Sequence, residues 1–139
     1  MTIPDLKAGG CRCGAVRYEV RGKPVGGIAC HCRDCQYVSG GAANLSWIFD
    51  RPGFQITKGA PAVFKAKPTS GGTYFCAQCG VHLFSQPDTN RDFVAIKVGS
   101  LDDASGFKVD ADMWTISAPD WHSLHDGAAH YECNIPSAG

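Results

Sequence analysis

Seven of the eight cysteines in this 139-residue chain fall into three tight groups: Cys11 with Cys13, Cys30 with Cys32 and Cys35, and Cys76 with Cys79. Thiolates one or two residues apart can converge on a common point, so the spacing suits a soft dication such as Zn2+ far better than mutually bridged disulfides. In extended backbone Cys11 and Cys13 would project from one face and leave Arg12 on the other. That pair lacks two ligands, and the knuckle formed by Cys76 and Cys79, followed by Gly80, supplies them. Cys11, Cys13, Cys76 and Cys79 are therefore expected to form a closed metal site that supports the fold, because four thiolates leave the ion no place for a substrate.

The group of Cys30, Cys32 and Cys35 supplies three sulfurs with no fourth close behind. His31 lies between two of these ligands and is expected to face away from them, packed or hydrogen-bonded. The remaining position is left open between Cys133, the distant His82, His122, His125 and His130, and an exchangeable water or substrate. Three thiolates around a dication carry a net charge of about −1, which weakens the metal's power to acidify water. A further sulfur is the better match, so a substrate thiol could bind as thiolate beside an electrophilic carbonyl carbon. Cys30, Cys32 and Cys35 are accordingly the expected catalytic set. His31 and His122 are candidates for proton transfer, and Arg33 is a candidate partner for a substrate carboxylate, each weighed against an ordinary packed or solvated role. The segment SGGAAN (39–44) could bring backbone amides to an anionic ligand, although a plain small-residue turn is the preferred reading. Trp47, Trp114 and Trp121 could wall a pocket but are read first as core.

The elements that must position these groups read as short strands. Val16, Tyr18 and Val20 alternate with Arg17, Glu19 and Arg21, the period-two signature of a half-buried strand. Segments 43–49, 54–59 and 62–67 follow as strands separated by RPG and GAP turns. Residues 72–87 read as a hairpin with the second cysteine knuckle at its tip, 93–101 as a strong strand, and 113–117 as a shorter one. Residues 102–112 read as loop, and 120–127 as one or two helical turns ending at Gly127. With 17 glycines, 8 prolines and a hydrophobic fraction of 44%, the composition fits a mostly β single domain.

Thirteen basic residues balance thirteen acidic ones, and seven metal-bound thiolates with two Zn2+ would shift that balance to about −3. Nucleic acid is therefore not an expected partner. The segment MTIPDLKAGG has neither a basic leader nor a cleavage site, and no stretch is long enough for a membrane helix, so no membrane partner is expected and a cytoplasmic, reducing setting is. Oligomeric state is not legible, and Cys133 reads as a lone thiol.

The ordered pattern GGCRCGAVRYE (9–19), CHCRDCQ (30–36) and FCAQCGVHLF (75–84), with SAPDW (117–121) and DG (126–127) downstream, resembles the glutathione-dependent formaldehyde-activating enzyme family, which also includes centromere-protein-V-like members. The resemblance implies a mostly β, tent-like, zinc-stabilised single domain over residues 1–139. It implies a structural zinc at Cys11, Cys13, Cys76 and Cys79 and a functional one at Cys30, Cys32 and Cys35, in agreement with the spacing argument. It further implies carbon-sulfur lyase-type chemistry, in which glutathione and formaldehyde join to give S-hydroxymethylglutathione. Two positions depart from the family pattern: Gln36 stands where relatives carry a basic residue, and Asn44 where they carry a bulky apolar one. Those departures could suit the pocket to a different thiol or carbonyl partner. The rival reading is a non-catalytic zinc-binding module that docks another protein, and a fourth protein ligand beside Cys30, Cys32 and Cys35 would favour it.

Overall fold

Alternating side chains on short strands decide the architecture. In the computed structural model, which describes residues 5–88 and 90–136, the strands in chain order are β1 (Lys7–Gly10), β2 (Arg17–Val20), β3 (Gly26–Cys30), β4 (Asn44–Asp50), β5 (Phe54–Lys58), β6 (Ala62–Phe64), β7 (Thr73–Phe75), β8 (His82–Ser85), β9 (Phe93–Lys97), β10 (Ala111–Met113) and β11 (Ala129–His130). One helix, α1 (Arg33–Ser39), joins β3 to β4. The first four residues of the N-terminal segment discussed above lie outside the described residues.

Among the described residues the strands form two sheets. The smaller has the order β1-β2-β5, and the larger runs β11-β10-β3-β4-β9-β8-β7-β6. All pairings are antiparallel except β10 with β3 and with β11, which are parallel. The expected alternation in β2 holds: Val16, Tyr18 and Val20 are buried, and Tyr18 and Val20 pack with Trp47 and Phe49 of β4, Val94 and Ile96 of β9, and Phe54 and Phe84 in one hydrophobic core. Removing such side chains from water supplies the main drive for bringing the sheets together. Cys11 and Cys76 are part of the same core. The result is a mostly β single small domain, as the sequence led us to expect.

Four elements differ from the sequence reading. The strand expected over 93–101 stops at Lys97, and Val98–Ser100 form a 3-10 turn. That turn brings Ser100 Oγ to 2.8 Å from the Lys97 carbonyl oxygen and 2.6 Å from Tyr18 Oη, so buried polar groups are satisfied where a continued strand would leave them bare. The strand expected over 113–117 lies instead at Ala111–Met113; Trp114 turns left-handed at φ 57° and Thr115–Ser117 form another 3-10 turn. The helical turns expected over 120–127 do not form. His125 N donates to the Asp112 side chain at 2.8 Å, a long-range bond that replaces the local one a helix would need. Finally, α1 stands where the cysteine spacing reads as a turn, because Cys32 caps a helix whose first turn carries Cys35.

No helix among the described residues is long and apolar enough to cross a membrane.

Candidate functional site

Two turns build the four-cysteine group. Cys11 and Cys13 occupy the turn between β1 and β2, which corrects the extended backbone expected there: Gly14 N donates to Cys11 O at 3.2 Å. Cys76 and Cys79 occupy the turn between β7 and β8, where Cys79 N lies 3.5 Å from Cys76 Sγ and Gly80 N donates to Cys76 O at 2.8 Å. Gly80 closes this knuckle at φ 78°, a left-handed conformation costly for a residue with a Cβ.

Cys11 Sγ is 3.6 Å from Cys13 Sγ, which is 3.7 Å from Cys76 Sγ. A tetrahedral ion with Zn–S bonds of about 2.3 Å has sulfur-sulfur edges of about 3.8 Å, whereas a disulfide would need about 2.05 Å. Val16 N also points at Cys11 Sγ from 3.3 Å, and the backbone amides of Cys13 and Val81 pull the Cys79 thiol down to about 6. The four sulfurs all lie within 4.8 Å of one another, so these residues could hold a zinc ion.

The three-cysteine group is assembled differently. Cys30 ends β3, Cys32 is the N-cap of α1, and Cys35 lies in its first turn, with Cys35 N donating to Cys32 Sγ at 3.4 Å. The helix stops at Gly40, left-handed at φ 89°, where the amides of Gly40 and Gly41 both reach Gln36 O. The SGG run of the sequence is thus a helix cap, the ordinary turn reading. The sulfurs of Cys30, Cys32 and Cys35 lie within 4.8 Å of one another and could likewise hold a metal ion. Among the described residues, no histidine, carboxylate or further cysteine joins that trio.

Cys35 is the first of the three to ionise. A hydrogen bond from Cys30 pulls its thiol down to about 6 against the effect of burial, with help from Cys32, Lys97 and Asn44. Cys30 is pushed the other way by that same bond and by burial.

The candidate fourth ligands sit elsewhere. His31 faces away as expected, fully buried, with Nε2 2.7 Å from Asp112 Oδ1. His125 Nδ1 approaches the same oxygen at 2.9 Å, and His130 Nε2 lies 3.4 Å from Asp112 Oδ2. Burial would raise the Asp112 carboxyl, but the bonds from His31 and His125 hold it below the ordinary carboxylate range. Cys133 is exposed. The His122 ring lies near His31, tilted at 46° with ring centroids 5.8 Å apart.

Both departures noted in the sequence sit at the site. Gln36 Nε2 ties α1 to His31 O and Ser117 O, each at 2.9 Å, and Asn44 Nδ2 approaches Cys35 Sγ at 3.8 Å. Arg33 stacks over the Tyr37 ring at 4.9 Å and is exposed. Of the tryptophans, Trp47 is core, Trp114 is half-buried with Nε1 bonded to Asn134, and Trp121 is 68% exposed, which corrects its reading as core.

Two residues escaped the sequence reading. Asp112 falls at the end of the segment that the sequence reads as loop, although a buried carboxylate with histidine donors is a strong structural signal. Lys97 falls within the strand expected over 93–101, where nothing local marks it out, yet it is 9% exposed and donates to Ser46 Oγ at 3.0 Å. His82 lies beside it. The β7–β8 register shifts between the pairs Tyr74–Phe84 and Phe75–His82, leaving Leu83 as an extra residue that re-aims the strand. Burial and the charge of Lys97 push the His82 imidazole down.

The family model described as glutathione-dependent formaldehyde-activating enzyme matches residues 6–117. Among solved structures, the crystal structure of a Rhodobacter sphaeroides protein is similar at 20% identity with a TM-score of 0.61, covering 71% of this chain and 91% of that one. At that identity the likeness concerns the fold.

Proposed function

The chain belongs to the glutathione-dependent formaldehyde-activating enzyme family, and from that premise we propose that it is a zinc-dependent enzyme of carbon-sulfur lyase type that joins a thiol, glutathione by family, to formaldehyde. The observation that carries this reading is the contrast between a group of four cysteines and a group of three. Cys11, Cys13, Cys76 and Cys79 would hold a structural zinc ion, while Cys30, Cys32 and Cys35 would hold a second. When bound by the trio, zinc supplies a soft centre that favours a further sulfur and lowers the pKa of a thiol.

The chain's own residues would do the rest. The Asp112 carboxylate pins His31 Nε2, which keeps the imidazole turned from the trio. Asn44 steadies Cys35, the most acidic of the three thiols. In the reaction a sulfur-carbon bond forms, the carbonyl π bond breaks, and the proton lost by the thiol ends on the new hydroxyl. His31, fully buried and turned from the trio, is a positioning group in this reading, which leaves His122, whose ring lies beside it, as the candidate to carry that proton. Residues 1–139 would act as one zinc-binding domain, and a cytoplasmic setting, where thiols stay reduced, belongs to the same proposal.

Metal counting followed by zinc X-ray absorption with and without glutathione tests the reading. The expected result is two zinc ions per chain and a gain in mean sulfur coordination on adding glutathione, together with faster exchange between formaldehyde and its glutathione adduct in two-dimensional NMR. Unchanged coordination and exchange no faster than in buffer would leave the alternative, a non-catalytic zinc-binding module.

A further inference from the structure

A buried ammonium group needs a compensating charge, and Lys97 has one hydroxyl as its hydrogen-bond partner, Ser46 Oγ at 3.0 Å. Three N–H donors served by one neutral acceptor leave most of the desolvation cost of the ion standing. Strand register shows where the compensation comes from. Ser46 of β4 pairs with Lys97 of β9 on one side and with Ile28 of β3 on the other, and Asn44 pairs with Cys30. Side chains two residues apart share a face, and directly paired residues share it too. Lys97, Ser46, Asn44 and Cys30 therefore line one face of the large sheet, opposite the face on which Trp47, Phe49 and Ile96 form the core. Burial pushes the Lys97 ammonium toward losing its proton, and the thiolates of Cys35, Cys30 and Cys32 push it back. His82 adds little to the positive charge, since burial and Lys97 itself both push its imidazole away from protonation.

Resting on the reading of Cys30, Cys32 and Cys35 as a metal site, we propose that Lys97 is the positioning residue whose buried charge makes this site select an anionic sulfur as its added ligand. Three thiolates and a dication carry about −1, and Lys97 brings the local total to about zero. An incoming thiolate returns that total to about −1, while a neutral ligand such as imidazole leaves it unchanged. Without Lys97 the same thiolate would have to join a group already at about −1 and finish at about −2, in a site where the dielectric is low. The ammonium thus favours thiolate binding over neutral donors without touching the metal.

The test uses the full-length protein with Co2+ exchanged into the metal sites, whose sulfur-to-cobalt absorption reports thiolate binding directly. Wild type, Lys97→Met, Lys97→Gln and Lys97→Arg are titrated with 2-mercaptoethanol, which has no carboxylate, and separately with imidazole. Both neutral variants should bind the thiol at least tenfold more weakly than wild type, bind imidazole as well as wild type does, and keep the full metal content. Lys97→Arg should keep thiol affinity within about threefold, because it keeps the charge. Met matches the lysine stem in an apolar setting, and Gln keeps a donor for Ser46, so loss of folding in one leaves the other to report. Equal thiol affinity in wild type and in the folded neutral variants overturns the proposal, as does parallel loss of thiol and imidazole binding. A wild-type protein whose spectrum ignores thiol overturns the enzyme reading itself, and this inference with it.

Discussion

Asp112 is a charge with no exposure to solvent, and at the scale of single residues its survival depends on donors. It receives His31 Nε2 at 2.7 Å, His125 N at 2.8 Å and His125 Nδ1 at 2.9 Å. These bonds outweigh burial and depress the carboxyl, so its folded pKa lies below the unfolded value of about 3.9. The stabilisation is then fully present above about pH 4 and is lost only as pH falls through the lower folded value. Asp112→Asn replaces an acceptor with a group that must turn a donor toward one of the histidines, and should cost about 3 kcal/mol in urea unfolding at pH 7. The difference from wild type should not narrow between pH 7 and pH 4.5. A gap that narrows across that interval would mean that burial wins and the carboxyl takes up its proton early, contrary to this account.

The knuckle between β7 and β8 is the clearest case at the scale of elements, because it is local. Cys76, Cys79 and Gly80 are contiguous, and the backbone angle that Gly80 adopts, φ 78°, is the one glycine supplies without strain. Gly80→Ala should therefore destabilise the protein by about 1–2 kcal/mol. Gly99→Ala, at a position where an added Cβ meets nothing within 4 Å and φ is not left-handed, should stay within about 0.5 kcal/mol of wild type. Equal losses at the two positions in thermal or urea unfolding would remove the conformational argument. Locality also explains what could be read in the sequence. The cysteine groupings, the alternation in β2 and the hairpin depend on neighbours a few residues apart, and all three hold. Helix α1 is hidden because its Cys-x-x-Cys spacing suits a turn and a first helical turn equally. Asp112 and Lys97 were invisible for another reason: what buries them arrives from residues 81 and 51 positions away, His31 and Ser46, and no local pattern encodes that meeting. The 3-10 turn after Lys97 likewise answers to Tyr18, on the other sheet.

For the molecule as a whole, the four-cysteine group joins two sheets that otherwise meet through packing and a few bonds to the segment after β9, such as Tyr18 Oη with Ser100 Oγ and Asp102 N with Ala8 O. Cys11 and Cys13 lie in the turn between two strands of the small sheet, Cys76 and Cys79 in a turn between two strands of the large one, and Cys11 and Cys76 are themselves in the shared core. If a zinc ion bridges them, its binding contributes on the order of 10 kcal/mol to folding, comparable with the 5–15 kcal/mol net stability of a small domain. The trio of Cys30, Cys32 and Cys35 spans only the end of β3 and the start of α1, so a metal there closes a short loop and holds no second sheet. The two groups should consequently fail in different ways. Cys76→Ser should abolish cooperative thermal unfolding at neutral pH, as should a strong chelator acting on wild type. Cys35→Ser should keep a cooperative transition and the near-ultraviolet circular dichroism of the packed aromatics while losing one of two metal ions. If chelated wild type retains its full transition, or if both substitutions unfold the chain alike, then the hydrophobic contact between the sheets suffices alone and the division between a holding site and a working site must be abandoned.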